Sequence, residues 1–359
     1  MLPVVERFLV TADWHEGNFR NGPMIDGVNG RLLDIRDRIR EILQYALSNN
    51  IKVIVILGDL FNDKSPSMIH LTYFAEFVRE ATENDITIVV LTGNHDVYKL
   101  QGQMHALAPF QKIQVPKLVV IDQLSDFRWE LPKGLKIAFF PYIKSPQKEA
   151  LASFLKPTDT ALFMHGTISG ASTRGCTELE MFDDDVVPHE MLSHLKGVFA
   201  GHVHSCQHFE NVYYPGSIER LTFEDEKDTK SFLDVIWEYG DFEVKPIPLK
   251  ARKMITLPGN MIQDVEKGRI SVKDAIVRVL GADRHLIQET RQILMRQGCY
   301  YVASVQTAVK DMQAVESAPT TTDLKVFVDK FAKKQKYTGD LDAAMKMING
   351  ILESVETGG

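Results

Sequence analysis

Five continuous apolar runs constrain this chain more than any other feature, because each ends on a polar cluster. Phe8–Val10 leads to Asp13-Trp14-His15, Val53–Leu57 to Gly58-Asp59, and Ile86–Leu91 to Gly93-Asn94-His95-Asp96. Ala161–Met164 leads to His165-Gly166, and Val198–Ala200 to Gly201-His202-Val203-His204. Runs without polar alternation fit strands buried on both faces. The amphipathic stretches Arg31–Leu47 and Ile69–Ala81 between them fit helices, and Lys136–Phe140 reads as one more strand. The expected architecture is an α/β sandwich with buried sheets.

In such sheets ligands bind beyond the carboxyl ends of the strands, so clusters far apart in sequence converge on one pocket. Singly, Asp, Asn and His at strand ends are ordinary turn and cap residues. It is the recurrence at five strand ends that points to a site, with His165-Gly166 the least specific member. Neutral imidazoles together with carboxylate and amide oxygens suit divalent ions such as manganese, iron or zinc. The lack of thiolates in the pattern argues against a structural zinc site. Two ions roughly 3.5–4 Å apart need a bridging carboxylate with ligands on either side, and Asp59 is the natural bridge. A pair of this kind polarises a phosphoryl group, and a nearby imidazole can protonate the leaving oxygen, a role that falls to His95.

The clusters and their order resemble the calcineurin-like metallophosphoesterase family, whose motifs D-x-H, G-D, G-N-H-D/E, H and G-H-x-H span residues 8 to 204 here. The resemblance implies a two-sheet sandwich with one metal held by Asp13, His15, Asp59 and His204. The other metal would be held by Asp59, Asn94, His165 and His202, with His95 catalytic. Within the family the chain is most similar to the SbcD-type nuclease subunits. That likeness rests on G-N-H-D, on Tyr214-Pro215-Gly216-Ser217-Ile218-Glu219-Arg220 after G-H-x-H, and on an α/β appendage. It implies a DNA exonuclease and endonuclease acting on double- and single-stranded DNA in repair, recombination or replication. Manganese would be the expected ion, with magnesium the alternative. A homodimer working with an SbcC-type coiled-coil ATPase would be the expected assembly. On the same basis residues 1–249 form the nuclease domain, 250–312 a small DNA-capping α/β domain, and 313–359 a helical segment that docks on the ATPase.

Two positions depart from the resemblance: Asn62 stands where relatives carry Asp or His, and Glu16 where Leu is usual. Rival readings are a small-molecule phosphodiesterase, a protein phosphatase, or a DNA-end scaffold without activity. The phosphatase reading expects an Arg beside G-N-H-E, whereas Thr92 and Asp96 flank the motif here. Intact ligands argue against the scaffold.

Composition limits how DNA could be gripped. With 41 Lys and Arg against 48 Asp and Glu the formal charge is −7, which is not the basic footprint of a nucleic-acid binder. Any grip must be local, metal-mediated or lent by a partner. Lys64, Lys99, Arg174 and Arg220 lie near motif loops and are the candidate phosphate contacts, with ordinary surface charge as the plainer explanation. The triplet Asp183-Asp184-Asp185 reads as a solvated loop. Cys176, Cys206 and Cys299 are scattered, so a reducing, cytoplasmic setting is expected. No apolar run approaches the roughly 18 residues of a membrane span. The pattern breaks near Lys245-Pro246-Ile247-Pro248. Beyond it a small unit is predicted, with a strand at Ala275–Leu280, a helix at Arg284–Arg296 and a strand at Tyr300–Ser304. Two amphipathic helices follow, carrying Leu324, Phe327, Val328 and Phe331, then Met345, Ile348, Ile351 and Leu352.

Overall fold

Two six-stranded sheets stack face to face in the computed structural model, which describes Leu2 and residues 5–97, 104–144, 147–172 and 186–307. The predicted carboxyl-terminal helices lie outside the described residues. In chain order the strands of the first half are β1 (Arg7–Thr11), β2 (Met24–Ile25), β3 (Val28–Asn29), β4 (Val53–Leu57), β5 (Thr87–Leu91), β6 (Leu118–Ile121), β7 (Arg128–Glu130) and β8 (Lys136–Phe140). They continue with β9 (Ala161–His165), β10 (Gly197–Gly201), β11 (Gln207–Phe209), β12 (Val212–Tyr214), β13 (Ser231–Glu238) and β14 (Asp241–Pro248). One sheet has the order β14-β13-β1-β4-β5-β6 and the other β11-β12-β10-β9-β8-β7.

The uninterrupted apolar runs are explained by the pleat, since neighbours along a strand face opposite ways and both faces are covered. Val10, Val55 and Val89 stand in register on one side of the first sheet. They meet the register row Phe139, Phe163 and Phe199 of the second sheet in a shared core. Leu9, Ile54 and Ile88 face the other way, into α1 (Gly30–Ser48) and α2 (Met68–Glu83). Each such side chain, buried fully, contributes about 1.5–3 kcal/mol relative to exposure. Asn29 starts α1 by accepting hydrogen bonds from the Arg31 and Leu32 amides, the usual work of an N-cap. Among the described residues no helix is long and apolar enough to cross a membrane.

The structure differs from the sequence reading around residue 245. The expected break is a strand: β14 pairs antiparallel with β13 along its whole length, including Pro246 and Pro248. It is an edge strand, where a missing N–H costs no ladder bond. Beyond it β15 (Met254–Pro258), β16 (Ile276–Ala282) and β17 (Tyr301–Thr307) form a parallel three-stranded sheet. Its first strand was not foreseen, and the predicted helix at 284 begins as a 3-10 turn before Ile287–Arg296. This small unit has its own apolar core, with Leu257, Val265, Val277, Val279, Ile293 and Leu294 among its members.

Candidate metal centre

All five motifs leave the carboxyl ends of β1, β4, β5, β9 and β10, three strands in one sheet and two in the other. The backbone there is unusual. Asp13, His15, Asp59 and His202 have φ of 51°, 46°, 50° and 91°, a left-handed conformation that side chains disfavour and that gathers at functional sites. Main-chain bonds hold it: the amides of Asp13, His15 and Glu16 donate to the carbonyls of Gly58, Asp59 and Leu60. Trp14, wholly buried, anchors the first loop through Nε1 on Thr11 Oγ1 at 3.0 Å and an edge contact with Phe77. The glycines are there for close approach. A Cβ on Gly93 would strike Asp59, and one on Gly201 the Leu57 carbonyl and the His165 ring.

Three groups of potential ligand atoms result, each within 4.8 Å of one another: Asp13, His15 and His204; His15, Asp59 and His95; and Asp59, His165 and His202. One oxygen, Asp59 Oδ2, lies 3.7 Å from His15 Nε2 and 3.5 Å from His165 Nε2, between the two histidine sets. Its partner Oδ1 accepts the His95 amide at 2.8 Å, which fixes the carboxylate plane. Asp13 is oriented by the His202 amide, at 2.9 and 3.1 Å from its two oxygens. Asn94 Oδ1 sits 2.9 Å from His165 Nε2 and 3.0 Å from His202 Nδ1.

Hydrogen bonding suits these residues to a cation. His165 Nδ1 faces the Leu57 carbonyl at 2.7 Å and must donate to it, so in the neutral ring Nε2 is the acceptor. That acceptor faces the Asn94 oxygen, and two acceptors so close require a proton or a metal ion between them. His15 Nε2 and His204 Nε2 confront one another at 3.2 Å, close enough to share a proton or an ion. Electrostatics agree. Against the cost of burial, His165, His95 and His15 hold the Asp59 carboxyl well below its usual range. Burial and the Asp59 charge push Asp13 up to about 7, and burial with Asp59 pushes Asp96 up to about 6. Burial opposes charge on His165, yet Asp59 and Asp13 raise it to about 9. Excess negative charge of this kind is what divalent ions neutralise.

The structure brings together Asp13, His15, Asp59, Asn94, His95, His165, His202 and His204. His95 Nδ1 donates to the Asn62 carbonyl at 2.8 Å, so that position orients the histidine through its main chain. Asp96 was legible only as a motif letter. It accepts from the amides of Gly93, Leu60 and Phe61 at 2.8, 3.4 and 3.3 Å and ties the loops after β4 and β5 together. Among the candidate DNA contacts, Lys64 is half-buried in the loop after Phe61, and Lys99 and Arg174 lie outside the described residues. The Arg220 guanidinium donates to the carbonyls of Asp225, Ala251, Arg252 and Asp228. These four bonds give it a scaffolding position.

Residues 6–206 match the calcineurin-like phosphoesterase family. The chain belongs to that family. Among curated proteins this phosphoesterase is similar to Exonuclease subunit 1 of Enterobacteria phage T4, 24% identical over 230 residues and 63% of either chain. The DNA double-strand break repair protein Mre11 of Saccharolobus solfataricus is 24% identical over 142 residues, 37% of this chain and 35% of that one. In Escherichia coli K12, one component of the nuclease SbcCD is 30% identical over 90 residues, 25% of this chain and 21% of that one. Each match thus spans less than two thirds of the relative's length.

Proposed function

We propose that this phosphoesterase is a two-metal DNA nuclease that processes DNA ends. The observation that carries the reading is the Asp59 oxygen set between two histidine groups. The choice of DNA is supported by the names of the three relatives, an exonuclease subunit, a break-repair protein and a nuclease component. Asp13, His15, Asp59 and His204 would hold one ion, and Asp59, Asn94, His165 and His202 the other. The chemistry that such ions supply is charge neutralisation at the phosphoryl oxygens and a lowered pKa for the attacking water. Manganese fits the mixed nitrogen and oxygen donors better than magnesium does.

The chain's own residues do the rest. His95, its Nδ1–H held by the Asn62 carbonyl, would act as the imidazolium, giving its Nε2 proton to the leaving oxygen and ending as the neutral ring. Asp96 keeps the His95 loop at a set distance from the Asp59 loop. The small unit would cap the DNA, a partner ATPase of the SbcC type would bind through residues 313–359, and two copies would act as a homodimer.

End-labelled duplex DNA incubated with the purified chain and manganese, magnesium or chelator tests this reading. Manganese-dependent shortening is expected, with His95→Ala slowing it about 10²–10⁴-fold while metal binding persists. Cleavage of a small aryl phosphodiester with DNA untouched, even beside the ATPase, would overturn the DNA assignment.

A further inference from the structure

Lys230 is buried to 1% exposure, and its ammonium has no part in the chemistry above. It donates to the main-chain carbonyl of His204 at 2.9 Å and to Asp225 Oδ1 at 3.0 Å. Asp225, also fully buried, accepts the amides of Leu221 and Thr222 on its other oxygen at 2.8 and 3.0 Å. The His204 carbonyl also accepts the Ser217 amide at 3.0 Å, and Lys230 Nζ lies 3.6 Å from Asp228 Oδ2, so the buried ammonium, carboxylate and carbonyl form one hydrogen-bonded cluster in which moving one group strains the others. One end of it is a candidate metal ligand. The other end is the segment 219–226.

That same segment is the seat of the small unit. Glu219 accepts the Arg252 amide on both oxygens, at 2.9 and 3.0 Å. Arg220 Nη1 donates to the carbonyls of Ala251 and Arg252, both at 3.1 Å. Glu226 accepts the Thr256 amide at 2.9 Å, and Arg278 lies over the Phe223 ring at 4.4 Å. Arg252 completes the seat from the other side: its guanidinium pairs with Asp34 on α1 and stacks on Tyr300 at 3.5 Å. No candidate ligand touches Arg252 in these bonds.

We infer that Lys230 and Asp225 form a strut joining the seat of the small unit to His204, so that seating of that unit and metal binding at Asp13, His15 and His204 are linked. Lys230 is a positioning residue. It acts on the metal position only by placing the His204 backbone, as outer-sphere groups do. Linkage makes the effect reciprocal: an ion held by His204 tightens the seat, and a loosened seat weakens the ion. This inference rests on the two-metal reading of the centre.

The test uses the full chain, with manganese binding followed by calorimetry and amide hydrogen exchange followed over residues 254–307. The wild type should bind two ions, and Lys230→Met should weaken one of them by about tenfold or more and leave the other unchanged. Arg252→Ala should speed exchange in the small unit and weaken the same ion. Manganese should slow that exchange in the wild type, and not in Lys230→Met/Asp225→Leu, which removes both buried charges and keeps the core apolar. The strut is refuted if Arg252→Ala leaves exchange unchanged, or loosens the small unit with both affinities intact. It is refuted equally if the double variant folds and binds both ions as the wild type does. A wild type that binds fewer than two ions refutes the two-metal reading itself.

Discussion

Near the end of β16 the register shift between Val279 and Ala282 holds Gly281 in the left-handed region, at φ 70°, a residue with no Cβ to object. Beyond the ends of β1, β4 and β10 positive φ is carried instead by Asp13, Asp59 and His202, where it costs up to about 1–2 kcal/mol each. Within β15, β16 and β17 the small sheet follows the local rules of its residues, and the one described non-glycine exception in that unit, Asp274 at φ 57°, lies in the turn before β16. The two large sheets break them at the strand ends where His and Asp converge, and a framework of glycines and main-chain bonds enforces the breach. Local rules yield where side chains must point at a common centre.

Gly201→Ala attacks that framework most directly. Its Cβ would meet the Leu57 carbonyl and the His165 ring, so a loss of about 1–3 kcal/mol is expected, together with weaker manganese binding. Gly268→Ala is the matched control, since it has φ 71° with open space around it and should lose only about 1 kcal/mol. Urea unfolding with and without manganese compares them. Equal losses, and no effect on metal, would remove the close-approach argument.

Glu16 sharpens the contrast from the other side. It is 1% exposed, and neither carboxyl oxygen has a hydrogen-bond partner among the described residues. Burial raises its carboxyl well above the usual range, with Arg36 opposing. Glu16→Leu should therefore stabilise the fold by about 1–3 kcal/mol, the cost of an unsatisfied buried polar group. A lower melting temperature would show that the carboxyl serves a contact that this geometry omits.

A smaller effect than at Gly201 or Glu16 is expected far from the centre. Burial opposes charge on Asp234, but Arg7 and Tyr45, hydrogen-bonded to it at 2.6–2.9 Å, hold its carboxyl below the usual range. A depressed carboxylate contributes stability above its unfolded pKa of about 4 and loses it as pH falls through the folded value. Asp234→Asn should cost about 1–2 kcal/mol at neutral pH, discounted because Arg7 is partly exposed, and the two proteins should converge in acid. A pH-independent difference would assign the effect to packing.

What the sequence made legible follows the same division. Strand ends and ligand types could be read because Asp13, Asp59, Asn94, His95, His165, His202 and His204 each follow an apolar run directly. The work of position 62 could not, because His95 is held by the Asn62 carbonyl, which every residue carries. Lys230 and Asp225 were equally hidden: a charged pair five residues apart looks like surface until the fold buries it. Pro246 and Pro248 masked β14 because a proline signals a break unless the strand is known to lie at an edge. Met254–Pro258 escaped because a short strand at a unit's start has no flanking helix to announce it.

The arrangement around Asp59 is tested most directly by anomalous diffraction from manganese-soaked crystals. Two peaks about 3.5–4 Å apart, on either side of the Asp59 carboxylate, are expected, one toward His15 and His204 and the other toward His165 and His202. A single peak, or two that do not share Asp59, would contradict the two-metal centre and the nuclease reading built on it.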